Sequence, residues 1–185
     1  MLLLLVSPKL FGTQDSTKTK SVDTYQRLDV SYIIGAQLYN DNFLYNPGIA
    51  TQVSYGIKVS KAVGIGLGVG YTGLTKERFI PIYAEAFGQK KNKKNAPFVK
   101  FQAGYSLGWN SSTSANSNYE MKGGPYFNAG LGRKIEFNDN YALLFSWSYS
   151  HQFARMEYDV FGGKEYSEPV NYDMLWVTIG LLLNN

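Results

Sequence analysis

Six charged residues lie in segments that otherwise alternate apolar side chains with small or polar ones. All six share the small, polar side of that alternation: Arg27, Asp29, Lys58, Glu85, Lys100 and Lys134. If these segments line a narrow closed barrel, their charges must pair, because an unpaired buried charge costs several kcal/mol. We therefore predict a barrel-interior charge cluster in which Asp29 and Glu85 lie among the cations and close the bore. An anion path or gate is the functional alternative.

The single histidine, His151, lies in the segment Ser148–Phe153 with the sequence SYSHQF. This segment resembles the lipid A 3-O-deacylase family, small outer-membrane barrels in which a histidine and a serine, two residues apart on one strand, face the lipid. Here Phe153 occupies the place of that serine, and Ser150 falls on the opposite face. Acyl transfer needs a hydroxyl nucleophile beside the base. We expect no catalytic residue and no enzyme, with a deacylase-like activity around His151 as the alternative.

Other features of the sequence do not indicate a cofactor or a metal. The chain has no cysteine and one histidine, which argues against thiolate and imidazole metal centres. The glycine-rich stretch Gly64–Gly70 has no lysine at a phosphate-binding spacing, and its glycines at every second position indicate one face of a strand. The predictions are therefore no cofactor and no metal site.

A run of lysines, QKKNKKN at Gln89–Asn95, accounts for the formal net charge of +4. Because charges elsewhere balance, nucleic acid is not a predicted partner. Such a run is most often a solvated turn. Contact with anionic headgroups or with cell-wall polymer is the functional alternative.

The elements that must position these residues are long strands. Strict alternation predicts eight of them, at Arg27–Tyr39, Gly48–Val59, Val63–Gly73, Phe79–Phe87, Val99–Trp109, Tyr126–Ile135, Tyr141–Phe153 and Leu175–Leu183. Each is about ten residues long or longer, and a tilted strand needs about nine to eleven residues to cross a bilayer. Tight turns are predicted at 60–61 and 138–140, and longer loops at 40–46, 110–122 and 155–171. The short connection at 74–78 and the long one at 88–96 depart from that pattern.

The direction of the apolar face decides between a membrane protein and a soluble one. A soluble lipocalin-like barrel carrying a small apolar ligand shows the same alternation with the apolar side chains inside. An eight-stranded bore is too narrow for four to six bulky residues from each strand. We therefore predict an all-β, eight-stranded antiparallel up-and-down transmembrane β-barrel with its apolar face in lipid. Aromatic residues near strand ends are predicted to form interfacial girdles: Tyr39, Tyr45, Tyr71, Trp109, Tyr141 and Tyr172.

Several segments resemble small outer-membrane barrels of the OmpA and OmpX type, and more closely the porin-like barrel domains of Bacteroidetes. They are FIPIYAEAFG at Phe79–Gly88, APFVKFQAGYSLG at Ala96–Gly108, GGPYFNAGLGRKI at Gly123–Ile135 and MLWVTIGLLL at Met174–Leu183. The resemblance implies the outer membrane of a Gram-negative bacterium, contact with membrane lipid and lipopolysaccharide, and protein partners at extracellular loops. It implies a structural, adhesive or complex-forming role. The terminal aromatic of many such barrels is replaced by asparagine.

A chain of 185 residues with 44% hydrophobic and 17% charged residues is long and apolar enough for one folded domain. Residues 1–14 are predicted to be a signal peptide remnant, because the apolar run Leu2–Val6 and the residues that follow it to Gly12 resemble the late part of a secretory signal peptide. A flexible apolar terminus is the alternative. Residues 15–26 are polar and predicted to be flexible, and residues 27–185 to form the barrel.

Overall fold

The computed structural model describes residues 23–39, 42–90, 94–110, 119–138, 140–160 and 164–184. Within these ranges no helix is long and apolar enough to span a bilayer. The ten strands, numbered in chain order, are β1 Thr24–Tyr39, β2 Asn42–Tyr45, β3 Gly48–Ser60, β4 Val63–Gly73, β5 Glu77–Gln89, β6 Asn95–Asn110, β7 Tyr119–Lys122, β8 Pro125–Glu136, β9 Tyr141–Val160 and β10 Lys164–Asn184.

Eight strands close into one antiparallel barrel. Each of β1, β3, β4, β5, β6, β8, β9 and β10 pairs with its neighbour along the chain, and β10 returns to pair with β1. The register of the closing pair places Asp29 opposite Gly180 and Ile33 opposite Trp176. Short β2 pairs with the end of β1, and short β7 pairs with β9. The predicted fold class is confirmed, since closure leaves the barrel without an unpaired strand edge.

Two boundaries differ from the predictions, and one prediction is untested. The strand β1 begins at Thr24, inside the segment predicted to be flexible, because Thr24 pairs with Ile57 and Tyr25 with Asn184. The loop predicted at 155–171 is mostly strand, because β9 and β10 keep pairing out to Val160 and Lys164. The predicted signal segment at 1–14 lies outside the described residues and stays a prediction.

Large apolar side chains cover the outside of the barrel. Leu67, Leu131 and Trp147 are 71%, 67% and 65% exposed, and Ile65 and Phe101 are exposed as well. A continuous apolar exterior of this kind is stable only against lipid. The prediction of an outward apolar face is correct, and the soluble lipocalin-like alternative is wrong.

The predicted aromatic girdle is partly correct. Tyr45, Tyr71, Trp109 and Tyr141 are exposed on the outer face, whereas Tyr172 is 1% exposed and points into the bore. The side chain of Tyr39 lies outside the described part of the chain. Tyr172 points inward because it shares the alternation phase of Met174 and Trp176, both of which are buried.

The bore holds two groups of apolar side chains with a charged layer between them. The turn-side cluster contains Tyr25, Phe87, Phe98, Ala142, Leu144 and Leu182. The larger loop-side cluster contains Ile33, Ala50, Leu74, Phe79, Tyr83, Met121, Tyr126, Ala154, Val170, Tyr172, Met174 and Trp176. On β1 the inward positions run from Tyr25 through Arg27 and Asp29 to Ile33, which places the charges between the two clusters.

Glycines make room for the inward aromatic rings. A Cβ atom on Gly68 would lie 2.5 Å from the ring of Tyr83, and one on Gly64 would lie 2.7 Å from the ring of Tyr25. These glycines of β4 therefore leave room for two inward rings, that of Tyr83 on the adjacent strand β5 and that of Tyr25 on β1. The sequence predicts a bore lined mainly by glycines and polar groups, and the structure shows that large rings fill much of it.

This complementarity predicts that Gly68→Val destabilises the folded barrel by about 1–3 kcal/mol, because the added carbons collide with Tyr83. The free energy of unfolding would be measured by urea titration of tryptophan fluorescence in phospholipid vesicles. Gly88→Ala is the matched control, since its Cβ would meet only the Val99 side chain, at 3.2 Å. Equal stability of the two variants would contradict the proposed packing.

Candidate functional site

Four of the six predicted interior charges form one connected group, here called the charge cluster: Arg27, Asp29, Glu85 and Lys100. The Arg27 Nη2 atom lies 2.5 Å from Glu85 Oε2, and its Nε lies 3.1 Å from Asp29 Oδ2. The Lys100 Nζ atom lies 3.4 Å from the same Asp29 oxygen. All four side chains are almost fully buried. Two cations and two carboxylates give the cluster no net formal charge.

Neutral polar groups complete the surroundings of Glu85. Tyr25 donates a hydrogen bond from its hydroxyl to Oε1 at 3.1 Å, and Ser54 and Gln102 donate to Oε2, each at 3.2 Å. Gln102 also exchanges hydrogen bonds with Gln52, and the Tyr126 hydroxyl donates to Gln102 at 3.1 Å. These bonds link five strands across the bore. A buried carboxylate is tolerated where such donors and a cation satisfy its oxygens.

Lys58 and Lys134 are not part of the charge cluster. Lys134 forms an ion pair with Glu136 at the turn end of β8. Lys58 is half-buried beside Lys134, Asp23 and Glu136. Both lysines share the inward phase of their strands, but they lie at the mouth of the bore. The alternation predicts the face on which each lysine lies. Its position along the barrel axis depends on strand register and tilt, which the alternation does not give.

The arrangement of the charge cluster favours a structural role over a catalytic one. Its cations and carboxylates pair with one another, and apolar rings pack above and below. Arg27 Nη1 and Asp29 Oδ1 are buried without a hydrogen-bond partner among the described residues. Within the described ranges, no group of three or more histidine, cysteine, aspartate or glutamate residues could hold a metal ion.

A second polar group lies on the outer face and is here called the rim cluster: Tyr149, His151 and Asp173. His151 Nδ1 lies 2.7 Å from Asp173 Oδ1, and the Tyr149 hydroxyl donates to the same oxygen. Asp173 and His151 are directly paired across β9 and β10. The ring of Phe153 packs edge-on against the imidazole at 4.3 Å between centroids.

The sequence indicates His151 as a candidate residue but does not connect it with Asp173. The alternation shows that Asp173 lies on the outward face, because it shares the phase of Leu175. That Asp173 lies beside His151 follows only from the register between β9 and β10. The carboxylate orients the imidazole and leaves Nε2 free to accept or donate a proton. Phe153 stands where a serine nucleophile would be needed.

Comparison with known proteins gives structural likeness alone. No protein-family model matches the sequence, and no curated protein matches it. The crystal structure of Neisserial surface protein A is similar with a TM-score of 0.56 at 13% identity, covering 86% of this chain and 96% of that chain. The solid-state NMR structure of outer membrane protein AlkL in lipid bilayers gives 0.60 at 13%, covering 95% and 96%. Outer membrane protein OprG from Pseudomonas aeruginosa gives 0.58 at 11%, covering 90% and 97%.

These three structures share the small outer-membrane barrel fold. Together with the lipid-compatible exterior, the likeness confirms the predicted outer-membrane barrel fold, with which the predicted localisation agrees. The closer resemblance to the Bacteroidetes type stays a prediction.

The ion-pair geometry predicts that Glu85→Gln lowers the free energy of unfolding by about 3–5 kcal/mol, because Arg27 loses its closest carboxylate. Urea titration in phospholipid vesicles measures the change. Glu120→Gln, on an exposed residue of β7, is the matched control and should alter stability by less than about 0.5 kcal/mol. Replacing both partners, as in Arg27→Met with Glu85→Leu, should recover part of the loss. Equal effects of the two single variants would count against a structural ion pair.

Proposed function

We propose that this protein is a non-enzymatic outer-membrane barrel with a closed bore, which acts through the surface that it presents outside the membrane. A structural, adhesive or complex-forming role fits that surface. The observation that carries the proposal is the filling of the bore by two apolar clusters and the charge cluster between them. If no continuous water path crosses the bore, the barrel does not act as a channel, and its function is carried by its outer surfaces.

The filling leaves little room for transport. Four large side chains in the loop-side half are nearly inaccessible and come from three strands: Phe79 and Tyr83 from β5, Tyr126 from β8 and Trp176 from β10. Toward the turn end, the rings of Phe87 and Phe98 pack at 5.2 Å between centroids. An eight-stranded barrel is just wide enough for its own side chains to fill. Opening a channel would require several of these rings to move together.

The loop end carries the surface that we assign to function. A three-stranded extension, here called the loop-side sheet, consists of Tyr119–Lys122, 155–160 and 164–169. From the rung of His151 to the rung of Val160, β9 runs about nine residues, which is roughly 30 Å of strand. Because the apolar band ends near His151, much of this sheet stands in water outside the outer leaflet.

Several contacts hold the loop-side sheet together. Lys122 Nζ lies 2.5 Å from Glu157 Oε2, which ties β7 to β9. The rings of Tyr158 and Tyr166 pack at 5.3 Å between centroids, which ties β9 to β10. Tyr166 is itself well exposed. Exposed tyrosine on a rigid strand supports contact with a protein or a carbohydrate at low entropic cost.

Lipid modification at the rim cluster is the second candidate function. The observation that favours it is the contact between His151 and Asp173, which orients the imidazole as a general base requires. Within the described part of the chain, the polar partners of that imidazole are Asp173 and Tyr149, and neither is a serine or threonine nucleophile. The proposal of a non-enzymatic barrel therefore has the stronger support.

Bore closure predicts the absence of stable channels. In planar lipid bilayers, purified protein should give no discrete, long-lived conductance steps, because two ring layers and a neutral ion-pair layer block the axis. An open porin reconstituted in the same way is the positive control. Long-lived steps that change when Trp176 is replaced by alanine would overturn the closed-bore proposal.

A non-catalytic rim cluster predicts unchanged lipid A. Mass spectrometry of lipid A from cells expressing the wild-type chain should match that from cells expressing His151→Ala and Asp173→Asn. Loss of an acyl chain in the wild type, and its restoration in both variants, would establish the second candidate instead.

The proposed role of the loop-side sheet predicts a selective loss of surface contact. Cells expressing a variant in which residues 156–168 are replaced by a short glycine and serine turn should lose adhesion to surfaces or cells that the wild type binds. Heat-modifiable gel mobility checks that the barrel still folds. Replacing Tyr55, equally exposed but on the lipid face, with Phe is the control. Undiminished adhesion of the truncated variant would remove the support for this role.

A further inference from the structure

The turn end of the barrel carries exposed cations on neighbouring elements. They form what is here called the basic arc: Lys61, Lys90, Lys94 and Arg133, each of them exposed. The lysine run in the sequence contributes two of these residues, and the turn after β3 and the end of β8 contribute the others. The charge cluster and the loop-side sheet do not include any of them.

Hydrogen bonds connect the elements of the basic arc side by side. Gln89 donates from Nε2 to the carbonyl oxygen of Lys61 at 3.2 Å, and the amide of Lys90 donates to Pro97 at 3.3 Å. Arg133 donates from Nε to Asn95 at 2.6 Å, and Glu136 donates its amide to the carbonyl oxygen of Lys94 at 2.7 Å. The cations therefore follow one continuous stretch of the rim.

The arc lies at the turn-side edge of the apolar band, and the exposed ring of Phe137 lies further toward the turn after β8. Arg133 is on the outward face of β8, one outward position beyond Leu131, which is among the most exposed lipid-facing residues. Lys61 lies in the turn between Val59 and Val63, both exposed on the same outer face. Cations at this depth lie at the level of lipid phosphates. A cell-wall polymer lies further from the bilayer, so the position of the arc favours lipid as its partner.

The charge of the arc is not offset locally. The two carboxylates with described side chains at this end have lysines outside the arc beside them: Glu136 pairs with Lys134, and Asp23 lies near Lys58. At the loop end, by contrast, cations and carboxylates with described side chains are similar in number: Lys76, Arg78, Lys122 and Arg155 against Glu77, Glu120, Glu157, Glu168 and Asp173. The concentration of positive charge is therefore a property of the turn end.

We propose that the basic arc binds the phosphate groups of anionic phospholipids in the periplasmic leaflet. Short turns of outer-membrane barrels face the periplasm, and that leaflet is built of phospholipid. A planar guanidinium pairs with phosphate through two parallel hydrogen bonds, and each lysine adds a point charge near the surface. The arc anchors the turn end of the barrel at headgroup depth. This inference does not depend on whether the bore is closed or the loop-side sheet is adhesive.

The test uses the full chain in nanodiscs of phosphatidylethanolamine with a minority of phosphatidylglycerol. Native mass spectrometry of the released protein counts the lipids retained. Phosphatidylglycerol should be enriched at least about fivefold over its bulk fraction, and the enrichment should fall at high salt. Lys90→Gln with Arg133→Gln should bring it close to the bulk fraction.

Lys76→Gln with Arg155→Gln is the matched control, because it also removes one lysine and one arginine, but from the loop end. It should keep the wild-type enrichment, and heat-modifiable mobility should show that both double variants are folded. Equal enrichment in all three proteins would overturn the proposal. So would binding to purified peptidoglycan that is lost in Lys90→Gln with Arg133→Gln while lipid retention is unchanged, since the partner would then be the cell-wall polymer.

Discussion

The structure depends on one constraint, which is that a sheet crossing lipid must pair all of its backbone amides and carbonyls within itself. Closure of β10 onto β1 meets this requirement. Closure also divides the side chains into two sets with different surroundings, because successive residues of a strand point to opposite faces. Lipid-facing residues such as Leu67 need only be apolar. Bore-facing residues must fit one another, and for this reason the specific contacts of the molecule lie inside it.

Inside the bore, different residues fill the available volume and neutralise the buried charges. Volume is balanced by setting glycine against aromatic rings, as Gly68 is set against Tyr83. Charge is balanced by placing Arg27 between Asp29 and Glu85, with Lys100 on the far side of Asp29. The apolar rings at either end keep water away from these ion pairs, which strengthens them and makes the loss of one partner costly. The same filling that stabilises the barrel supports the proposal of a closed bore.

The two ends of the barrel differ in what they present. The loop end continues as a paired sheet with exposed tyrosine and mixed charge, which suits contact with molecules outside the cell. The turn end presents the basic arc at headgroup depth, which suits phosphate. Between them, the rim cluster marks the outer edge of the apolar band, where a carboxylate on the lipid side is tolerated because Tyr149 and His151 bind it. Function is thus proposed for the two ends of the barrel, whereas the filled interior provides stability.

The sequence by itself determined the strand period, the eight strands that close the barrel and the face on which each charge lies, because a period of two is a local property of each segment. It also determined the outward direction of the apolar face, because the bulk of those residues exceeds the volume of an eight-stranded bore. Only the tertiary structure decided that Lys58 and Lys134 lie apart from Arg27, Asp29, Glu85 and Lys100. It alone joined Asp173 to His151 and extended β9 and β10 beyond the membrane. These features depend on register and tilt between strands far apart in the chain, which no single segment encodes.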